Sequence, residues 1–171
     1  MSNSIFVDTL FVTALINSRD QYHQQAFQLP DLFENQPLLV TDAVLLEIGN
    51  ALARSHKADA VKIIERFFAS EEVEVVSLTP QLFERAFNMY KTHQDKSWGL
   101  VDCISFVVMR EAGVSRVLTI DRHFTQAGFQ ILMRRDRCRA DVAARLAKYP
   151  PGPSRAALAD RLGAHCAPPR L

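Results

Sequence analysis

Short apolar runs rich in β-branched residues alternate with segments of helical period along the first 133 residues, and few architectures accommodate that order. The runs Ile5–Val7, Leu38–Val40, Val73–Ser77, Arg116–Ile120 and Phe129–Leu132 read as strands, several too continuously apolar to have one face in water. Between them, Val44, Ile48, Ala51 and Leu52 mark one helical stripe. Leu82, Phe83, Ala86, Phe87 and Tyr90 mark a second, with Thr79 as its cap and Pro80 as its first residue. A third stripe, Val101, Ile104, Ser105 and Val108, is expected to start from a Ser97 cap and to stop at Gly113. Strand, helix, strand in this order predicts an α/β fold, a parallel sheet covered on both faces and joined by right-handed crossovers.

With 171 residues, 48% of them hydrophobic, the chain has apolar material for one ordinary core, which we place in residues 1–133. Residues 134–171 differ in kind. They are rich in Arg, Ala and Pro, and only two weak helices are expected there, Asp136–Lys148 and Ser154–Leu162, in an otherwise disordered extension. Charge follows the same division: the first part is net −5, with 11 Lys and Arg against 16 Asp and Glu, and the second is net +6, with 9 against 3. The extension reads equally as a basic arm for RNA, a partner segment, or an addition without a selected role. Cys103, Cys138 and Cys166 are odd in number and widely spaced, which argues against a disulfide framework or a zinc site and favours a reducing, cytoplasmic setting. The apolar stretch Ile5–Ile16 is interrupted by Asp8 and is too short to span a bilayer, so no membrane association is expected.

In open α/β sheets the working residues gather beyond the carboxyl ends of the strands. Asp8 ends the first strand, Asp121 ends the run R-V-L-T-I-D, and Glu47 lies early in the helix that leaves the second strand through Thr41 and Asp42. Asp102 opens a helix that feeds the strand at Arg116, so it should begin near the same edge. Each acid has an ordinary structural explanation alone: a turn or cap for Asp8 and Asp121, a solvent-facing helix position for Glu47, a favourable first-turn charge for Asp102. Four carboxylates converging at one edge are another matter, because they repel unless cations compensate them. Mg²⁺ or Mn²⁺ prefers oxygen ligands, and two such ions about 3.5–4 Å apart can stabilise both the attacking and leaving oxygens of a phosphodiester displacement. The sequence has no G-x-S-x-G elbow, no H-E-x-x-H and no G-x-x-x-x-G-K-[ST] loop, which removes the common alternative hydrolases.

The motifs V-D-T at 7–9, L-E-I-G-N-A-L at 46–52, L-V-D-C-I-S-F at 100–106 and T-I-D-R-H-F at 119–124 resemble the PIN-domain family. Their order and spacing, with D-x-x-H at Asp20–His23, are similar to the VapC-type toxin subunits of toxin–antitoxin modules. The resemblance implies a three-layer α/β/α fold with a five-stranded parallel sheet and Mg²⁺- or Mn²⁺-dependent RNA cleavage. It also implies a homodimer neutralised by a cognate antitoxin. Asp8 and Asp102 would then be the principal metal ligands, with Glu47 and Asp121 completing the acidic ring directly or through water.

Thr9 and Thr119 adjoin the acids and are open to two readings, orienting ligand oxygens or plain strand-end structure. Arg19, His23, Lys96 and Arg122, together with His123, are candidates to contact RNA phosphates, against the default of scattered surface charge. Asp42 reads as a helix cap, and Trp98 either stacks a base or covers the core beneath the acids. Two further classes stay open: a catalytically silent PIN-like RNA-binding or scaffold module, and a housekeeping PIN nuclease without a toxin role. A phosphoacceptor domain of similar layout would need an acidic pair after the first strand and a lysine after the fifth. Asp8-Thr9 and Leu132-Met133 do not supply them.

Overall fold

A computed structural model describes residues 3–29 and 36–133. Five strands, β1 (Ile5–Val7), β2 (Leu38–Thr41), β3 (Val73–Val76), β4 (Arg116–Leu118) and β5 (Gln130–Ile131), form one sheet in the order β3-β2-β1-β4-β5. Every pairing is parallel. All five expected strands are present, with ends moved by up to two residues. β1 and β2 are buried at every position, which requires cover on both faces. The cover comes from α1 (Thr9–Ile16), α2 (His23–Gln28), α3 (Asp42–Leu52), α4 (Lys57–Ala69), α5 (Pro80–Thr92), α6 (Leu100–Glu111) and α7 (Arg122–Gln126). The fold is α/β, as the alternation predicts. The expected helices within 136–148 and 154–162 lie outside the described residues.

The helix ends show where local chemistry decided and where tertiary structure did. Thr79 caps α5 through a 3.1 Å bond from Leu82 N, with Pro80 as first residue, as expected. Gly113 stops α6 in the left-handed region at φ 65°, where a Cβ would be strained. Two expected caps are corrected. Thr41, not Asp42, caps α3 by accepting from Val44 N at 3.2 Å, and Asp42 turns instead to the loop after β3. Gly99, not Ser97, is the cap of α6, because the helix begins at Leu100 and Asp102 accepts from Gly99 N, while Ser97 bonds His123. Helix α4 had no counterpart in the sequence reading, although Ala60, Ile63 and Phe67 form its buried stripe.

One aromatic cluster joins the elements that matter below. Phe6 of β1 lies 6.2 Å from Phe124 of α7, whose ring meets Phe106 of α6 edge-on at 5.0 Å. Trp98 meets Phe106 edge-on at 5.1 Å and donates its indole N–H to Gln126 Oε1 at 3.1 Å. Trp98 is therefore buried core, not an exposed stacking platform. Phe6, Phe106 and Phe124 are fully buried, and rings packed in this way resist small shifts of their backbones. Asp8, Asp102 and Asp121 are two, four and three residues from them in sequence.

Candidate active site

Register brings the first two acidic segments together. Val7 pairs with Leu118, so the next residues, Asp8 and Thr119, face each other as the strands end. Asp8 N donates to Leu118 O at 3.3 Å, and Thr119 Oγ1 donates to Asp8 Oδ2 at 2.6 Å. The same Oδ2 caps α1 through Leu10 N at 3.3 Å. Thr119 Oγ1 also accepts from Asp121 N at 3.0 Å, so one buried hydroxyl orients both aspartates.

Asp121 caps the short α7 by accepting from His123 N at 2.9 Å, a turn that brings the His123 ring back over the acids. His123 Nδ1 lies 3.0 Å from Asp102 Oδ2 and 3.4 Å from Asp121 Oδ2, while Nε2 lies 3.0 Å from Ser97 Oγ. Asp102 sits in the first turn of α6, where its Oδ2 accepts from Gly99 N at 2.8 Å. Glu47, more exposed on α3, accepts from Thr9 Oγ1 at 2.5 Å through Oε2.

The electrostatics oppose charge here. Burial pushes the Asp8 carboxyl up to about 7, against the donors Thr119 and Leu10, and nearby Asp102 and Glu47 add repulsion. Asp102 is also raised, first by burial and then by Asp121, although Gly99 N, His123 and the helix terminus all favour its charged form. Among the described residues no Lys or Arg forms an ion pair with any of the four acids. Four carboxylates from separate stretches of chain thus influence one another around a spot without a fixed counter-charge. An oxygen-rich, under-compensated donor set of this kind fits a hard divalent cation.

The four acids do not form a single even ring. The ligand atoms that lie within 4.8 Å of one another belong to Asp102, Asp121 and His123. Asp8 and Glu47 stand outside that group, coupled to each other, and Asp8 also to Asp102. Sequence reasoning gave His123 only a phosphate contact. The signal available was its place two residues after a cap aspartate, where a short helix folds the ring back. The other cationic candidates sit differently. Lys96 is next to Ser97 but pairs with Asp95 at 3.1 Å, and Arg122 is exposed at the start of α7. Arg19 is exposed in the turn after α1, and His23 Nδ1 donates to Ala14 O at 2.9 Å. Asp20 caps its own turn by accepting from Tyr22 N at 2.7 Å.

Comparison with known proteins gives a consistent result. Residues 5–130 match the PIN domain. The chain is 33% identical over 129 residues to the 23S rRNA-specific endonuclease VapC20 of Mycobacterium tuberculosis, in strains CDC 1551 and H37Rv, covering 73% of this chain and 95% of that protein. The crystal structure of M. tuberculosis VapC20, described as a sarcin-ricin loop cleaving toxin, superposes with a TM-score of 0.66. It shows 31% identity and covers 73% of this chain and 95% of its own.

Proposed function

This chain belongs to the PIN-domain family and is a homologue of VapC ribonuclease toxins, and from that premise we propose that it is a Mg²⁺- or Mn²⁺-dependent endoribonuclease. Its role is the toxin of a type II toxin–antitoxin module, acting on RNA in the cytoplasm and silenced by a cognate antitoxin. The observation that supports this best is the meeting of Asp8, Glu47, Asp102 and Asp121 without a Lys or Arg partner among the described residues. When bound, a divalent cation supplies charge neutralisation for the phosphate and activation of water. The protein's part is to hold carboxylate oxygens in place. The described hydrogen bonds to Asp8 fall on Oδ2 and that to Glu47 on Oε2, so each carboxylate is held by one oxygen and keeps lone pairs for ligation. Thr119 and Thr9 orient them. Arg122, exposed beside His123, is the first candidate to hold the RNA backbone, and Lys96 would do so by giving up its pair with Asp95.

The relative's name makes 23S rRNA the first substrate to assay. Purified protein should cut it with Mg²⁺ or Mn²⁺, lose activity with chelator, and lose it again in Asp8→Asn at unchanged fold. Cleavage that persists in chelator would overturn the metal assignment, and no cleavage of any RNA would return the silent binding module. A homodimer belongs to the same proposal, supported by the exposed row Phe83, Phe87 and Tyr90 on α5, and sedimentation tests it. No described helix is long and apolar enough to cross a membrane.

A further inference from the structure

The acidic edge holds one side chain that a purely carboxylate site does not require. We propose that His123 binds the metal through Nδ1 as a nitrogen ligand beside Asp102 and Asp121, and thereby gives the site a preference for Mn²⁺ over Mg²⁺. The inference rests on reading this edge as a metal site.

Three observations carry it. The ligand atoms of His123, Asp102 and Asp121 all lie within 4.8 Å of one another. The Nδ1 separations of 3.0 and 3.4 Å from the two carboxylate oxygens match the cis edge of an octahedron, about 3 Å for metal–ligand bonds near 2.1 Å. The spacing that suits a proton between nitrogen and carboxylate thus suits an ion in its place, with little rearrangement. Finally, the far side of the ring has a partner. A histidine ligand usually donates its other N–H to an oxygen that fixes its tautomer, and Ser97 Oγ is 3.0 Å from Nε2. With Nδ1–H donating to Asp102, the serine hydroxyl donates to Nε2. With Nδ1 on a metal, the same hydroxyl rotates to accept from Nε2–H, so the bond to Ser97 survives the change of tautomer while the metal takes the place of the proton shared with Asp102.

Imidazole nitrogen is a softer donor than carboxylate oxygen, and affinity for it rises along the first transition series, whereas Mg²⁺ favours oxygen and water. Removing the nitrogen should therefore weaken Mn²⁺ far more than Mg²⁺. A histidine that only neutralised the acids would affect both ions alike.

The experiment combines pulsed electron paramagnetic resonance of Mn²⁺ on the full chain with titrations of Mn²⁺ and Mg²⁺. Wild type should show ¹⁴N coupling, and His123→Gln and His123→Ala should lose it. Mn²⁺ affinity should drop roughly tenfold or more, given that even outer partners of metal ligands shift affinity about 10- to 100-fold, and Mg²⁺ affinity should change much less. Ser97→Ala should keep the coupling with a smaller loss of affinity. Asp102-dependent Mn²⁺ binding without ¹⁴N coupling in wild type overturns the histidine ligand and leaves the acidic metal site standing. Absence of any Mn²⁺ binding that Asp102→Asn removes overturns both.

Discussion

Asp8 and Asp42 leave adjacent strands at the same edge of the sheet, yet the fold treats them in opposite ways. Asp42 follows β2 and accepts Leu78 N on both oxygens, at 3.0 and 2.9 Å, which ties the start of α3 to the loop after β3. Asp8 follows β1, is buried, and faces Glu47 and Asp102 with a single threonine hydroxyl and its own helix turn as donors. Backbone architecture accounts fully for the first carboxylate. For the second, burial and like charge disfavour ionisation, and a buried carboxyl held near neutrality at the end of a parallel strand marks a site whose counter-charge comes from elsewhere.

The comparison breaks most visibly at Asp102. Asp102→Asn keeps the shape and removes a charge, so cleavage should drop roughly a hundredfold or more, as expected when a few kcal/mol of metal-centred stabilisation is lost. The same change should raise the melting temperature of chelated protein at pH 8, because burial and Asp121 penalise the charged form that wild type carries there. Unchanged activity in a folded variant would remove Asp102 from the site.

The next effect is a slope with pH. The Asp8 carboxyl is raised from 3.8 to about 7, so its favourable contribution to folding is complete below 3.8 and is lost as pH rises through 7. Asp102 shifts in the same direction. In chelator, the melting temperature should therefore fall by roughly 5 °C or more between pH 5 and pH 8. On the proposed metal site, saturating Mn²⁺ should favour the deprotonated acids and so flatten or reverse that slope. A chelated protein that melts higher at pH 8 than at pH 5 would contradict the charge balance described here.

Asp42 supplies the converse test. Asp42→Ala deprives Leu78 N of its partner and should cost about 1–3 kcal/mol in chemical denaturation, while the folded fraction keeps its cleavage rate. Asp42→Asn, which retains one carbonyl acceptor, should lose less. A large loss of activity with intact stability would place Asp42 in the site and dissolve the distinction.

How far these roles were legible in the sequence follows the same line. The positions of the strands along the chain, and the expectation that Asp8, Asp102 and Asp121 share one edge, come from short-range signals: apolar runs of fixed length, acids at their ends, and a helix start near the same edge. What was hidden depended on partners distant in sequence. Asp42 resembles a cap in every local respect, and only the loop at Leu78 takes it away. Ser97 resembles one too, until α7 delivers His123 to it. The His123 ligand geometry depends on a five-residue helix too short to leave a periodic signal. Helix α4 went unread for a different reason. Its stripe at Ala60, Ile63 and Phe67 is visible in principle, but Lys, Asp, Glu and Arg fill the intervening positions and leave the segment polar on average.

The smallest expected effect is at Thr119, whose one hydroxyl serves two of the four acids. Its hydroxyl donates to Asp8 and accepts from Asp121 N, and the first bond favours the charged form of Asp8. Thr119→Val preserves volume in a fully buried position, so the Asp8 carboxyl should rise further above its ordinary range with the fold retained. Proton and metal then compete more evenly for Asp8. Mn²⁺ affinity at pH 7 should drop severalfold, in line with the roughly 1 kcal/mol net worth of such a bond, and should recover above pH 8.5 as the proton leaves. Thr119→Ser keeps the hydroxyl and should stay near wild type. A loss in the valine variant that is the same at every pH would mean that Thr119 serves packing alone, and would move Asp8 towards the structural class that Asp42 represents.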